Sequence, residues 1–222
     1  HQLIPLTYFS DIYSSAKSSI SEDLTIVKET FEEKGIGLLV TVPGAAGGVK
    51  YIPKMSDLEV KHIIQEMIVE LGQSDRLLPG GYLFMTDMLG NPDFMNRIGK
   101  VFASVFADKQ IDVIMTVATK GISIAHAIAR HLNVPVVVVR RDSKVTEGST
   151  VSINYVSGSS RRIQTMVLSK RSMKSGQRVL ITDDFMKVGG TVNGMKNLLE
   201  EFGCTLAGIA VLVEAEHADE TL

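Results

Sequence analysis

The chain has 222 residues, 45% hydrophobic and 22% charged, with a formal net charge of −2. That length suits one large or two small globular domains, and the near balance of charge means that any nucleic-acid binding must come from a local patch. The single cysteine, Cys204, excludes an internal disulfide framework and suits a reducing cytoplasm; no membrane span and no signal peptide is legible, and the start at His1 rather than Met leads us to expect a missing N-terminal piece.

Residues 5–13 read as a short helix with Leu6, Phe9 and Tyr13 on one side. A second helix follows, with Ser19 and Glu22 as a capping box at its start, Ile20, Leu24, Val27 and Phe31 at helical spacing, and Gly35 placed to end it. Strands over 37–42 and 49–53 are joined by PGAAGG. Helix, turn, helix and hairpin is the order of a winged helix. In that reading Lys17, Ser18, Ser19 and Ser21 of the second helix meet the major groove. The glycine-rich tip around Gly47, with Lys50 behind it, is the wing. A small helix-plus-hairpin packing module fits the same order, and charge counts against DNA, because residues 1–55 hold five lysines and six acids.

Ser56 and Asp57 then cap a helix running to Leu71, which reads as a connector over 56–73 between an N-terminal domain, 1–55, and a larger one, 74–222. A loop over 77–81, a strand over 82–85 and a helix from Asn91-Pro92 to about Lys109 come next. Apolar strands at 113–117, 134–139, 179–182 and 207–213 alternate with helices, which implies a parallel sheet; 150–155 and 162–168 read as a hairpin around VSGSSR. Ligands of such sheets bind at the carboxyl ends of the strands. Thr119-Lys120-Gly121, the basic cluster Arg140, Arg141 and Lys144, and Asp183-Asp184 all fall at such ends.

The most informative stretch is VLITDDFMKVGGT, residues 179–191. A buried strand leads into two acids, then a loop ending in Gly189-Gly190-Thr191, then a helix carried by Val192, Met195, Leu198 and Leu199. The first amides of a helix lack intrahelical partners and the helix dipole favours an anion there, while glycine lets backbone approach a phosphate. Carboxylates do not bind phosphate, but they accept hydrogen bonds from a sugar diol. A phosphate cradle beside a diol clamp suits a ribose 5-phosphate. A βα turn whose acids merely cap a helix is the alternative. The dinucleotide fingerprint G-x-G-x-x-G does not occur.

This stretch resembles the phosphoribosyl pyrophosphate (PRPP) motif of type I phosphoribosyltransferases. Through LIPLTYFS, AKSSISEDL, GAAGGV, LLPGGYLF, VATKG, KVTEGSTVSINYVSGSS and ITDDFMKVGGT the whole chain resembles the purine operon repressors of Gram-positive bacteria. That resemblance implies an α/β protein: an N-terminal winged helix followed by a type I phosphoribosyltransferase-like parallel sheet flanked by helices, here trimmed at both ends. It implies a cytoplasmic homodimeric repressor that binds double-stranded DNA, needs no cofactor, and is released by PRPP, with Mg2+ arriving alongside. In this resemblance Asp183 and Asp184 hold the ribose hydroxyls. Amides of Met186, Lys187, Val188, Gly189, Gly190 and Thr191 hold the 5-phosphate. Thr119, Lys120 and Gly121 form the pyrophosphate loop. Phe185 and Tyr82 flank a base, and Lys187 reaches a phosphate. The segment 144–161, where transferases carry a catalytic loop, offers no evident acid or base, and His126 and His131 read as structural. Two alternatives stay open: a working purine phosphoribosyltransferase, and a guanine alarmone sharing the PRPP site. The basic cluster at 140–144 also suggests that effector and DNA compete for the same positive charge.

Overall fold

In the computed structural model the described residues are 3–44, 46–142, 148–157 and 162–215. Strand β1 (Leu3–Ile4) stops at Pro5, which serves as N-cap of helix α1 (Leu6–Tyr13). Helix α2 (Lys17–Glu33) ends ahead of Gly35, whose φ of 61° breaks the helix. The helix starts earlier than Ser19 and Glu22 suggest: Ala16 is its N-cap, with no side-chain cap bond, so both residues lie inside the first turns and their capping box does not form. A capping box forms instead between Ser56 and Glu59, at the head of helix α3 (Asp57–Leu71).

Strands β2 (Leu38–Val42) and β3 (Gly48–Ile52) pair antiparallel, and β1 adds to the far side of β3, giving the order β1-β3-β2. Gly48 permits that third strand, because a Cβ there would strike the backbone of Ile4 and Pro5. Two residues before a proline show no alternation, so β1 is illegible in the sequence.

Beyond α3 comes a 3-10 turn (Ser74–Arg76) and a small hairpin of β4 (Leu77–Leu78) and β5 (Tyr82–Leu83), turned through Gly80 and Gly81 at positive φ. Leu77 and Leu78 are therefore strand rather than loop. An unforeseen short helix, α4 (Thr86–Gly90), precedes α5 (Pro92–Val105), whose N-cap Asn91 accepts from the amides of Asp93 and Phe94. Helix α5 ends short of Lys109 because the chain tightens into three-residue turns, Ala107 N–H to Ser104 O and Lys109 N–H to Phe106 O.

The body then runs β6 (Val113–Val117), α6 (Gly121–Leu132), β7 (Val136–Val139), the antiparallel hairpin β8 (Thr150–Val156) and β9 (Ile163–Ser169), β10 (Arg178–Met186), α7 (Gly190–Glu201) and β11 (Thr205–Glu214). Four of these strands form a parallel sheet in the order β11-β10-β6-β7. Successive residues point to opposite faces. Ile114 and Leu180 join a core with Ile98, Ile124 and Ile128, while Met115 and Ile181 join Tyr155, Met166, Met195 and Leu198. Both faces are thus covered, which explains the almost unbroken apolar strands. Helix α3 packs Ile63, Met67 and Leu71 against the first core, and the Met55 amide donates to Ser104 Oγ of α5 at 2.8 Å.

Candidate functional site

The carboxyl ends of β6, β7 and β10 open into a cleft of about 640 Å³. Tyr82, Thr119, Lys120 and every residue of 183–191 line it, as do Arg140 and Arg141. Lys144 lies outside the described residues. Gly121 sits just behind the lining. A Cβ on it would collide with Thr116 Oγ1 and approach Asp183 Oδ1, so this glycine lets the start of α6 settle onto the ends of β6 and β10.

The two acids belong to strand β10 itself, which continues through Met186 rather than stopping at Thr182. The strand pairs with β6 up to Thr182–Thr116 and with β11 as far as Met186–Glu214, so the acids sit where the sheet still fixes the backbone. Asp183 is 5% exposed, and Asp184 is half-buried with its amide donating to Asp183 Oδ1 at 3.0 Å. Burial first, and then the neighbouring Asp184 carboxylate, push the Asp183 carboxyl up from 3.8 to about 7. Arg141 across the cleft opposes that rise.

Two helices aim their first turns at the same space. Helix α7 has Gly189 as N-cap at φ 77°, a left-handed conformation that glycine adopts without strain, and no side chain caps the helix. Helix α6 is entered through Lys120, again without a side-chain cap, after a cis peptide between Ala118 and Thr119. Uncapped amides at two helix starts, with Lys120, Arg140 and Arg141 nearby, make a site for two anionic groups beside an acid pair.

The rim hairpin β4–β5 supplies a third wall through Leu78, Tyr82 and Leu83, with Met85 beneath. Lys187 spans from the loop that leads into α7 to this hairpin. Its Nζ donates to the Gly80 carbonyl at 3.4 Å and stands 5.8 Å from the centroid of the Tyr82 ring. Leu78, Leu83, Met85 and Asp142 line the cleft without having been picked out from sequence. The first three read as ordinary strand or loop apolar residues, and Asp142 carries no local pattern. Among the described residues no group of three or more His, Cys, Asp or Glu is placed to hold a metal. Away from the cleft, burial and a nearby Lys100 and Arg130 hold His131 below the ordinary imidazole range, in keeping with a structural histidine.

In the N-terminal module Lys17, Ser18, Ser19 and Ser21 are all exposed on the first turns of α2. Lys28 and Lys34 pair with Glu32 and Glu33. Gly47 closes the β2–β3 turn, where a Cβ would strike the Val42 carbonyl. Lys50 lies mid-strand in β3, behind the glycine-rich tip, half-buried and opposite Leu3 and Val40.

Comparison with known proteins matches this division of labour. The family model of the phosphoribosyl transferase domain matches residues 85–221, and that of the bacterial purine repressor N-terminal domain matches residues 1–53. The purine biosynthesis transcriptional repressor PurR of Bacillus subtilis is 67% identical over 222 residues, covering all of this chain and 78% of the relative. The chain belongs to the PurR family of purine biosynthesis transcriptional regulators. Another PurR relative, from Lactococcus lactis subsp. lactis, is named a transcriptional activator and is 50% identical over the whole chain and 82% of its own length. The xanthine phosphoribosyltransferase of Shouchella clausii is 30% identical over 71% of the chain and 79% of the enzyme. Among solved structures, adenine phosphoribosyltransferase of Saccharomyces cerevisiae superposes with a TM-score of 0.62 at 21% identity, over 70% of this chain and 90% of that one, a likeness of fold. This PurR-family chain thus joins the repressor-type N-terminal module to a phosphoribosyltransferase-type parallel sheet, and its cleft lies where such a sheet places ligands.

Proposed function

We propose that the chain is a DNA-binding repressor of purine biosynthesis genes that PRPP, bound in the cleft, releases from its operators. The observation that carries this reading is the convergence of Asp183 and Asp184 with the uncapped starts of α6 and α7 in one cleft, in a chain whose first 53 residues match the purine repressor family. In this assignment the acids accept from the ribose diol, the amides of 186–191 hold the 5-phosphate, and Thr119 and Lys120 hold the pyrophosphate with Arg141 adding charge. Tyr82 and Phe185 offer apolar faces to one side. Residues 1–55 are the DNA-binding unit, 56–73 the connector and 74–222 the effector domain. The protein acts in the cytoplasm as a homodimer, which matches the two-fold symmetry of paired operator half-sites.

Displacement from purine-operon control DNA by PRPP tests the reading. The double substitution Asp183→Ala/Asp184→Ala should bind DNA normally. It should need more than about tenfold more PRPP for release, since each lost hydrogen bond costs roughly 0.5–1.5 kcal/mol. Release at wild-type concentrations would remove the acids from the effector site. A reporter gene fixes the sign of regulation, which differs between the named relatives.

The likeness to xanthine phosphoribosyltransferase keeps an enzyme reading in view. Incubation with PRPP and each purine base, following pyrophosphate, should show no turnover near 1 per second, the lower end of ordinary enzyme rates. A guanine alarmone carries two diphosphates that fit the same two anion sites, and we expect it to compete with PRPP in direct binding.

A further inference from the structure

The rim hairpin is too slight to hold its own position. It has two-residue strands, and Leu77, Leu78, Tyr82 and Phe84 are all exposed, Leu77 to 67%. Short isolated hairpins are marginal in water, so something outside its own ladder must set where it stands.

That role falls on Arg76, the residue immediately before β4. Its backbone carbonyl accepts from the Phe84 amide at 2.8 Å, and its Nη1 donates to the Phe84 carbonyl at 3.1 Å, closing the base of the hairpin from both sides. The same guanidinium makes a bidentate pair with Asp87 of α4, Nη1 to Oδ1 and Nη2 to Oδ2, both at 2.9 Å. Nη2 also lies 3.5 Å from Glu70 Oε1, in the last turn of α3. Arg76 is 8% exposed, although its neighbours in sequence, polar before it and leucines after it, are exposed. The planar fork suits two parallel bonds to a carboxylate, which an ammonium cannot reproduce. One buried side chain therefore joins the rim of the cleft, the helix beneath it and the end of the helix that follows the wing.

The geometry points to Arg76 as the positioning residue of the effector cleft, setting the Tyr82 wall through Asp87 and Phe84 and tying that wall to α3 through Glu70. This deepens the effector reading and rests on it. Among the described residues the tip of the hairpin is held by Lys187, from the loop proposed to hold the 5-phosphate. A ligand phosphate that draws Lys187 away leaves the Arg76 clamp as the fixed end of the hairpin. Displacement of the rim is then delivered to α3.

Three measurements on the full chain test this. Hydrogen exchange needs no ligand: Asp87→Asn should speed exchange of the ladder amides of Leu78, Tyr82 and Phe84 while leaving α6 and β6 as in wild type. Arg76→Lys should do the same, keeping the charge but losing the fork. Calorimetry comes second, with Asp87→Asn binding PRPP several-fold more weakly than wild type. Third, Glu70→Gln changes a half-exposed side chain, 47% accessible, and should leave PRPP affinity unchanged. It should shrink the factor by which PRPP weakens DNA binding by about two- to thirtyfold, the usual span for residues that carry coupling. Wild-type exchange in both Asp87→Asn and Arg76→Lys would overturn the positioning role, and intact coupling in Glu70→Gln would overturn the tie to α3. If wild-type protein binds no PRPP, the effector reading and the cleft role built on it fall together. The exchange result then still reports whether Arg76 sets the hairpin.

Discussion

In the proposed effector site Asp183 combines two demands, a place in the buried sheet and a carboxylate for a diol. Its raised pKa records the conflict. An acid whose folded pKa lies above its ordinary value holds its proton more tightly when folded. Stability therefore falls as pH rises from about 4 to about 7, and the loss is complete above that window. Asp183→Asn should melt near wild type at pH 4 and clearly above it at pH 8, where wild type holds a buried charge. PRPP binding should run the other way. The diol needs an ionised acceptor, so wild-type affinity should climb between pH 6 and 8, and Asp183→Asn should bind weakly without that extra climb. Calorimetry of both proteins across this range cancels the titration of PRPP itself; parallel profiles would remove Asp183 from the diol clamp. The acid pair and Gly189-Gly190-Thr191 were legible because strand, acids and loop sit close together in sequence. Arg76 was not, since a lone arginine at the end of a polar run reads as surface, and only the fold brings Glu70, Phe84 and Asp87 around it.

At the scale of elements, most of the β-strands and helices follow from apolar runs and their punctuation. The misses share a cause. Ser19 and Glu22 have capping spacing, but Ala16 is already in an extended conformation and helix α2 begins at Lys17, so position in the turn overrides the local motif. Strands β1 and β4 have two residues each, too short for any periodicity, and exist through pairing, while β5, read over 82–85, is a strand that stops at Leu83. Two element-scale predictions follow from placements that do hold. Helix α7 begins on a left-handed glycine, so Gly189→Ala should cost about 1 kcal/mol of stability by thermal melting and weaken PRPP binding, because the first amides of α7 must turn away. On the N-terminal module Lys17 is exposed at the head of α2 and Lys50 is half-buried within the wing sheet. Lys17→Ala should flatten the salt dependence of DNA binding by nearly one unit of log–log slope, equally for specific and random duplexes. Lys50→Ala should do so less, since its side chain leaves from mid-strand. Unchanged slopes in both would remove this face from the DNA interface.

The whole molecule poses the question of how, on the proposed reading, an anion in one module would release DNA from another. The basic cluster read from sequence favours direct competition, in which PRPP and DNA phosphates share Arg140, Arg141 and Lys144. The structure gives Arg140 and Arg141 other work. Both line the cleft, Arg140 with its backbone paired to Val167 of β9 and Arg141 acting on Asp183. The candidate DNA contacts lie on α2 and the wing sheet, which lead into α3 through Met55 and its bond to Ser104. Separate contact residues joined by a packed helix suit a shift between two arrangements rather than exclusion at one surface. The two mechanisms differ at saturation, although both make DNA weaken PRPP as much as PRPP weakens DNA. Exclusion allows no ternary complex, so apparent DNA affinity keeps falling as PRPP rises. A shift allows one, so the fall levels off, typically at roughly 5–150-fold. We expect the plateau. DNA binding titrated against PRPP at constant ionic strength decides between them, and a fall that continues in proportion to PRPP well past saturation of the cleft would return the cluster at 140–144 to the DNA interface.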